Sequence, residues 1–109
     1  MKSIITYQDF DKLDLRVGTV IACERKEGSE KILRMTVEFG EEGIKIILSG
    51  IYPFYHPENI LNKSFIFILN LAPRKIMNEE SQGMILATDG EKPVLFNPQE
   101  NVPSGTMIR

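Results

Sequence analysis

The sequence predicts an all-β protein: a five-stranded Greek-key barrel with a short helix between its third and fourth strands and extra strand structure near the C-terminus. Three observations carry this expectation. Several short segments alternate apolar and polar residues, as half-buried strands do. Gly, Pro, Asn, Asp and Ser fall between those segments, where turns need them. The helical signals, by contrast, are only one or two turns long.

Each element has its own signature. Thr6-Tyr7-Gln8-Asp9 has the spacing of a capping box in its Asp form, and Phe10 and Leu13 follow at helical spacing, so a short helix opens the chain. Leu15 to Glu24 reads as a long first strand. Leu15, Val17, Thr19, Ile21 and Cys23 share one parity; Arg16, Gly18, Val20, Ala22 and Glu24 share the other. Gly18 permits a bulge or sharp coil, as a long first strand in a small barrel requires. Ile32 to Phe39 is the clearest strand, with Leu33, Met35, Val37 and Phe39 on one face and Arg34, Thr36 and Glu38 on the other. Gly40-Glu41-Glu42-Gly43 makes a hairpin loop, and Ile44 to Ser49 returns.

Pro57-Glu58-Asn59-Ile60-Leu61 suits one or two helical turns, with Pro57 at an early position where its missing N–H costs little. The aromatic cluster Tyr52, Phe54 and Tyr55 just before it is expected to pack this helix into the end of the barrel. Ser64 to Leu71 reads as a mostly apolar fourth strand and Met84 to Thr88 as a fifth; after the Asp89-Gly90 turn, Pro93 to Phe96 reads as a short sixth. Three strands, a short helix and two more strands is the order of an OB-fold, whose face and loops bind oligonucleotides or oligosaccharides.

A chain of 109 residues forms one domain, here 1–109, with a core that needs no disulfide or metal staples. The longest apolar runs, such as Phe65 to Leu69, are far short of a membrane span, and the start lacks a signal-peptide pattern. The lone Cys23 excludes an internal disulfide and a multi-cysteine metal site. The expected compartment is the cytoplasm. No cofactor is expected, and His56 has no Ser, Cys, Asp or second His at a catalytic or metal-binding spacing. The net charge of −2, from 13 Lys and Arg against 15 Asp and Glu, argues against indiscriminate nucleic-acid binding. The cations are nonetheless bunched: Arg25, Lys26, Lys31 and Arg34 lie near one turn, Arg74 and Lys75 in another. A nucleic-acid site must therefore be compact and confined to one face.

The connection Asn70 to Met84 is longer and richer in donors than a turn requires. Arg74 and Lys75, directly after Pro73, suit phosphate contacts, and Met77 and Met84 suit apolar faces. Against this, Glu79 and Glu80 in the same connection would repel phosphates.

Four segments, Asp9-Phe10-Asp11-Lys12-Leu13-Asp14-Leu15-Arg16-Val17-Gly18, Ser49-Gly50-Ile51, Asn70-Leu71-Ala72-Pro73-Arg74-Lys75 and Ser81-Gln82-Gly83-Met84, resemble in order and spacing the tRNA-binding domain family. That family includes free-standing tRNA-binding proteins, the C-terminal domain of many methionyl-tRNA synthetases and a secretion-chaperone relative. The resemblance implies an OB barrel with added C-terminal strand structure, homodimerisation, and a grip on the outer corner of tRNA by shape. It implies an RNA-binding surface at Lys31, Ser49, Asn70, Arg74, Ser81 and Met84, to which the phosphate argument adds Lys75. The expected function is non-catalytic binding of structured RNA, with tRNA and an aminoacyl-tRNA synthetase as partners. Residues 91–109, with Val94, Leu95, Phe96, Val102, Met107 and Ile108, are the expected dimer segment. The alternatives are a peptide-binding chaperone or export factor and a protein–protein assembly module.

Overall fold

In the computed structural model, which describes residues 1–109, the capping box at Thr6 forms. The Thr6 hydroxyl accepts from the Asp9 N–H at 3.2 Å and the Asp9 carboxylate accepts from the Thr6 N–H at 3.3 Å, starting helix α1 (Tyr7–Asp11). The chain then enters β1 (Leu15–Arg25), which pairs antiparallel with β2 (Leu33–Glu38). A single 3-10 turn, Gly40–Glu42, leads into β3 (Ile44–Ser49), the antiparallel neighbour of β2. Helix α2 (Pro57–Ile60) starts with proline at its first turn, as read from the sequence.

The strands that follow are shorter than their apolar runs. β4 is Ser64–Ile68, not Ser64 to Leu71, because the chain leaves the sheet where Leu69 donates to the Asp14 carbonyl at 2.9 Å. The connection from Asn70 to Met84 is not a bare loop: it folds into a hairpin of β5 (Arg74–Ile76) and β6 (Glu79–Ser81). Its two-residue turn, Met77-Asn78, has both residues at positive φ, 49° and 66°, which is the backbone of a type I′ turn. β7 (Met84–Ile85) ends two residues in, and the Pro93–Phe96 segment contributes a single bridge, Ala87 to Leu95, in place of a sixth strand. The extra C-terminal strand is β8 (Met107–Ile108), which pairs with the start of β1.

The main sheet runs β3-β2-β1-β4-β7, so β3 and β7 are its two edges. A five-stranded antiparallel barrel results when those edges meet, and Ser81-Gln82-Gly83 is the segment that joins them. The Gln82 N–H donates to the Ile46 carbonyl at 2.8 Å, while its side-chain oxygen accepts from the Ile46 N–H at 2.7 Å. The buried Ser81 hydroxyl accepts from the Leu48 N–H at 3.0 Å and donates to the Gly83 carbonyl at 2.8 Å. Side chains thus supply part of the ladder that would otherwise close the seam.

Inside the barrel, Leu33, Met35, Val37 and Phe39 are completely buried, as their alternation predicts. The Phe39 and Phe67 rings meet edge to face, 5.2 Å apart at 87°. β1 departs from simple alternation. Gly18 and Val20 face the core cluster, while Leu15 and Val17, of the other parity, are buried outside it; the register then shifts between Val20 and Ala22, leaving Ile21 exposed and Cys23 packed on the core. A bulge reverses which parity faces inward, so Cys23 joins the face of Val20 although their parities differ. Gly18 allows the coil: a Cβ there would lie 2.6 Å from the Val37 side chain and against the Phe39 ring. Tyr52 and Tyr55 pack on the core beside α2, whose Ile60 is buried, while Phe54 is exposed. No helix is long and apolar enough to cross a membrane.

Candidate nucleic-acid interface

In an OB barrel the connection between the first two strands and the one between the last two rise at the binding face. Here these are residues 26–32 and the β5–β6 hairpin, and an acidic residue fastens one to the other. Glu79 on β6 receives Lys26 Nζ at 2.8 Å, Arg34 Nε at 3.0 Å from both carboxylate oxygens, and Arg34 Nη2 at 2.9 Å. Glu24 adds a looser contact to Arg34 Nη1 at 3.5 Å. Hydrogen bonds from Arg34 and then Lys26 hold the Glu79 carboxyl at about 2, far below the usual carboxylate range. The same contact with Glu79 raises Arg34. Met77, at the hairpin turn, reaches back toward Gly28 in the first connection.

The repulsion expected from Glu79 is therefore largely cancelled by two cations of the chain itself. The cluster of Arg25, Lys26, Lys31 and Arg34 is correspondingly less free than it reads. Lys26 and Arg34 are spent on Glu79, and Arg25 donates to the Ser29 carbonyl at 2.7 Å. Lys31, Arg74 and Lys75 are exposed and belong to no ion pair. Glu80, exposed and facing Lys75 in the hairpin register, and the exposed Glu27 and Glu30 of the first connection are acidic groups left at this surface.

The proposed site residues divide into groups. Arg74, Ser81 and Met84 line one cavity, with Arg74 opposite Ser81 across the hairpin. Lys75 is its neighbour on β5, and Lys31 stands at the base of the first connection, its carbonyl accepting from the Tyr52 N–H at 3.1 Å. Ser49 ends β3 opposite Leu33, half-buried. Asn70 lies elsewhere, although its side chain is exposed: its oxygen accepts from the Asp14 N–H at 2.8 Å and its NH₂ donates to the Lys12 carbonyl at 2.6 Å. Asn70 and Ser81 thus bind the chain's own backbone. Sequence reading missed Glu79 as a fastener, because its inward orientation depends on a hairpin whose Met77-Asn78 turn lacks the usual glycine.

Elsewhere, burial and the nearby Glu24 push the Cys23 thiol up to about 11, so it stays protonated and inert at neutral pH.

The sequence match decides the family. Residues 15–107 match the family described as "Putative tRNA binding domain". The chain belongs to this family. Among its curated relatives are methionine–tRNA ligases. The enzyme of Methanocella arvoryzae is 45% identical over 105 residues, covering 96% of this chain and 15% of the ligase. That of Clostridium acetobutylicum is 42% identical over 112 residues, covering 100% and 17%. The chain therefore spans about a sixth of the length of these relatives. A MetRS-related protein from Pyrococcus horikoshii superposes with a TM-score of 0.91 at 32% identity, covering 99% of this chain and all of that one. The chaperone CsaA from Bacillus anthracis superposes at 0.90 with 31% identity, covering 98% of this chain and 100% of its own.

Proposed function

We propose that this tRNA-binding-domain protein is a non-catalytic module that binds structured RNA, tRNA foremost, through backbone phosphates and overall shape. The observation that carries the reading is the Glu79 clasp. It joins the two loop regions of the barrel and leaves Lys31, Arg74 and Lys75 as exposed cations without an ion-pair partner. Arg grips a phosphate bidentately and Lys acts as a point charge. Each phosphate neutralised releases counterions, so affinity falls steeply with salt. Kinship with regions of methionine–tRNA ligases supports a role as an accessory to an aminoacyl-tRNA synthetase.

The protein acts as a homodimer in this reading. Val94, Phe96, Val102 and Met107 in the C-terminal segment are exposed, whereas Leu95 belongs to the core. Two weak sites on one dimer bind usefully together. Sedimentation at micromolar concentration is the check, and a monomer there contradicts it.

The decisive experiment is a salt series of binding to tRNA, double-stranded RNA and single-stranded DNA, with Arg74→Glu and Lys31→Glu in parallel. Each reversal is expected to weaken tRNA binding and to flatten the salt slope by ~1 or more. Wild-type protein without tRNA affinity at low salt, or variants that bind unchanged, would sink the reading. Structural likeness to a chaperone favours peptide binding as the second reading.

A further inference from the structure

Between the β5–β6 hairpin and the barrel edge lies a cavity of about 120 Å³ lined by Leu48, Leu71, Ala72, Arg74, Ile76 and Met84. Its remaining lining is the Gly83 backbone and Ser81, whose hydroxyl is already bonded to Leu48 and Gly83. Arg74 is therefore the one polar side chain of the lining with its donors free, and it has no ion-pair partner in the protein. Leu71 and Met84 stand at the cavity as half-exposed apolar groups.

Size and charge together restrict what fits. The volume is about four times the ~30 Å³ that a water occupies in the liquid. It is well below the roughly 300 Å³ at which pockets for whole drug-sized ligands begin. One planar ring fits, and an intact nucleotide does not. The ring must be apolar on its faces, because the other lining side chains are apolar or, like Ser81, already bonded. It must also carry an anion nearby, because Arg74, a lining residue, has no ion-pair partner in the protein. A nucleobase has this shape, with its own phosphodiester one sugar away. A polarisable Met thioether and a Leu side chain suit its π-faces. An internal apolar peptide side chain brings no such anion.

We infer that this cavity receives the base of one unstacked nucleotide, whose phosphate Arg74 holds. The inference rests on the RNA reading and deepens it. With Arg74 committed to the phosphate and no other lining side chain free to hydrogen-bond, the subsite accepts bases without regard to identity; unpaired positions in a folded RNA supply them. Binding then includes an anchor of fixed depth, which a uniform duplex without a free base cannot offer.

The test uses the full chain and a short single-stranded oligoribonucleotide carrying 2-aminopurine at its centre, compared with the same oligomer made abasic there. The phosphates are the same in both. The intact oligomer is expected to bind about tenfold more tightly, and its fluorescence to rise as the base leaves the stack. Ala72→Trp, at an exposed position, fills the cavity with a ring of its own. It is expected to abolish both differences while leaving the salt slope unchanged, since Arg74 and Lys75 remain. Equal affinity for the intact and abasic oligomers, or an Ala72→Trp variant that still discriminates them, overturns the base subsite. If tRNA meanwhile binds with its salt dependence, the RNA reading survives that failure. If wild-type protein binds no tRNA at low salt, both fall. Displacement of the oligomer by an uncharged apolar peptide, with no abasic effect, overturns the base subsite and assigns the cavity to peptide.

Discussion

Glu79 grips Arg34 with both carboxylate oxygens, each 3.0 Å from Nε, and with one of them 2.9 Å from Nη2. Lys26 completes the clasp at 2.8 Å. These contacts fix a hairpin of two three-residue strands, which would be marginal by itself.

The clasp has a pH signature. Glu79 titrates at about 2 in the fold against 4.5 for an unperturbed carboxyl. Its folded value is depressed, so its stabilisation is complete above about 4.5 and is lost as pH falls toward 2. Urea titrations across that window are expected to show wild type weakening. Glu79→Gln should be less stable at neutral pH by about 1–2 kcal/mol, with the gap closing as the solution is acidified. A gap independent of pH would show that the charge contributes nothing.

Ser81→Ala leaves the Leu48 N–H without its partner inside the protein. A buried donor orphaned in this way costs about 1–3 kcal/mol, read as a lower denaturation midpoint at unchanged slope.

Gly83→Ala places a Cβ 2.9 Å from the Ile68 carbonyl oxygen and 3.0 Å from the Ile47 side chain, where backbone cannot step aside. A loss of about 1–3 kcal/mol is expected. Gly50→Ala meets nothing within 4 Å and serves as the control, within about 0.5 kcal/mol of wild type. Equal effects at the two positions would refute the close approach at Gly83.

Glu80, unlike Glu79, is exposed beside Lys75 with no ion pair. Glu80→Gln is expected to tighten tRNA binding a few-fold at low salt, and the gain should vanish as salt screens it. Tighter binding that persists at high salt would require another cause.

These roles were legible in the sequence to very different degrees. The alternation from Leu33 to Phe39, the Gly40–Gly43 turn, the Thr6 capping box and Pro57 are local signals, and the fold uses each as read. β1 misled because one bulged residue reverses a parity, and nothing in Val20-Ile21-Ala22 marks which residue is extra. The β5–β6 hairpin was hidden for a related reason. Met77-Asn78 adopts a turn that glycine usually announces, and its strands hold charges that single-strand alternation cannot sort. Arg74 and Lys75 were visible as unpaired-looking cations after a proline. The internal bonds of Asn70 and Ser81 were not, because they join residues 56 and 33 positions apart.

β1 also serves as a ruler. Its start is paired with β8 and the C-terminal end of the chain, while Arg25, at its finish, leads into the cation-bearing connection. At ~3.3 Å per residue, its 11 residues hold those ends at most about 33 Å apart. A second chain docked along β8 would therefore meet the end of β1 opposite the one that leads to Lys31. In the proposed dimer, a contact made at β8 and a phosphate contact made at Lys31 would draw on opposite ends of one strand.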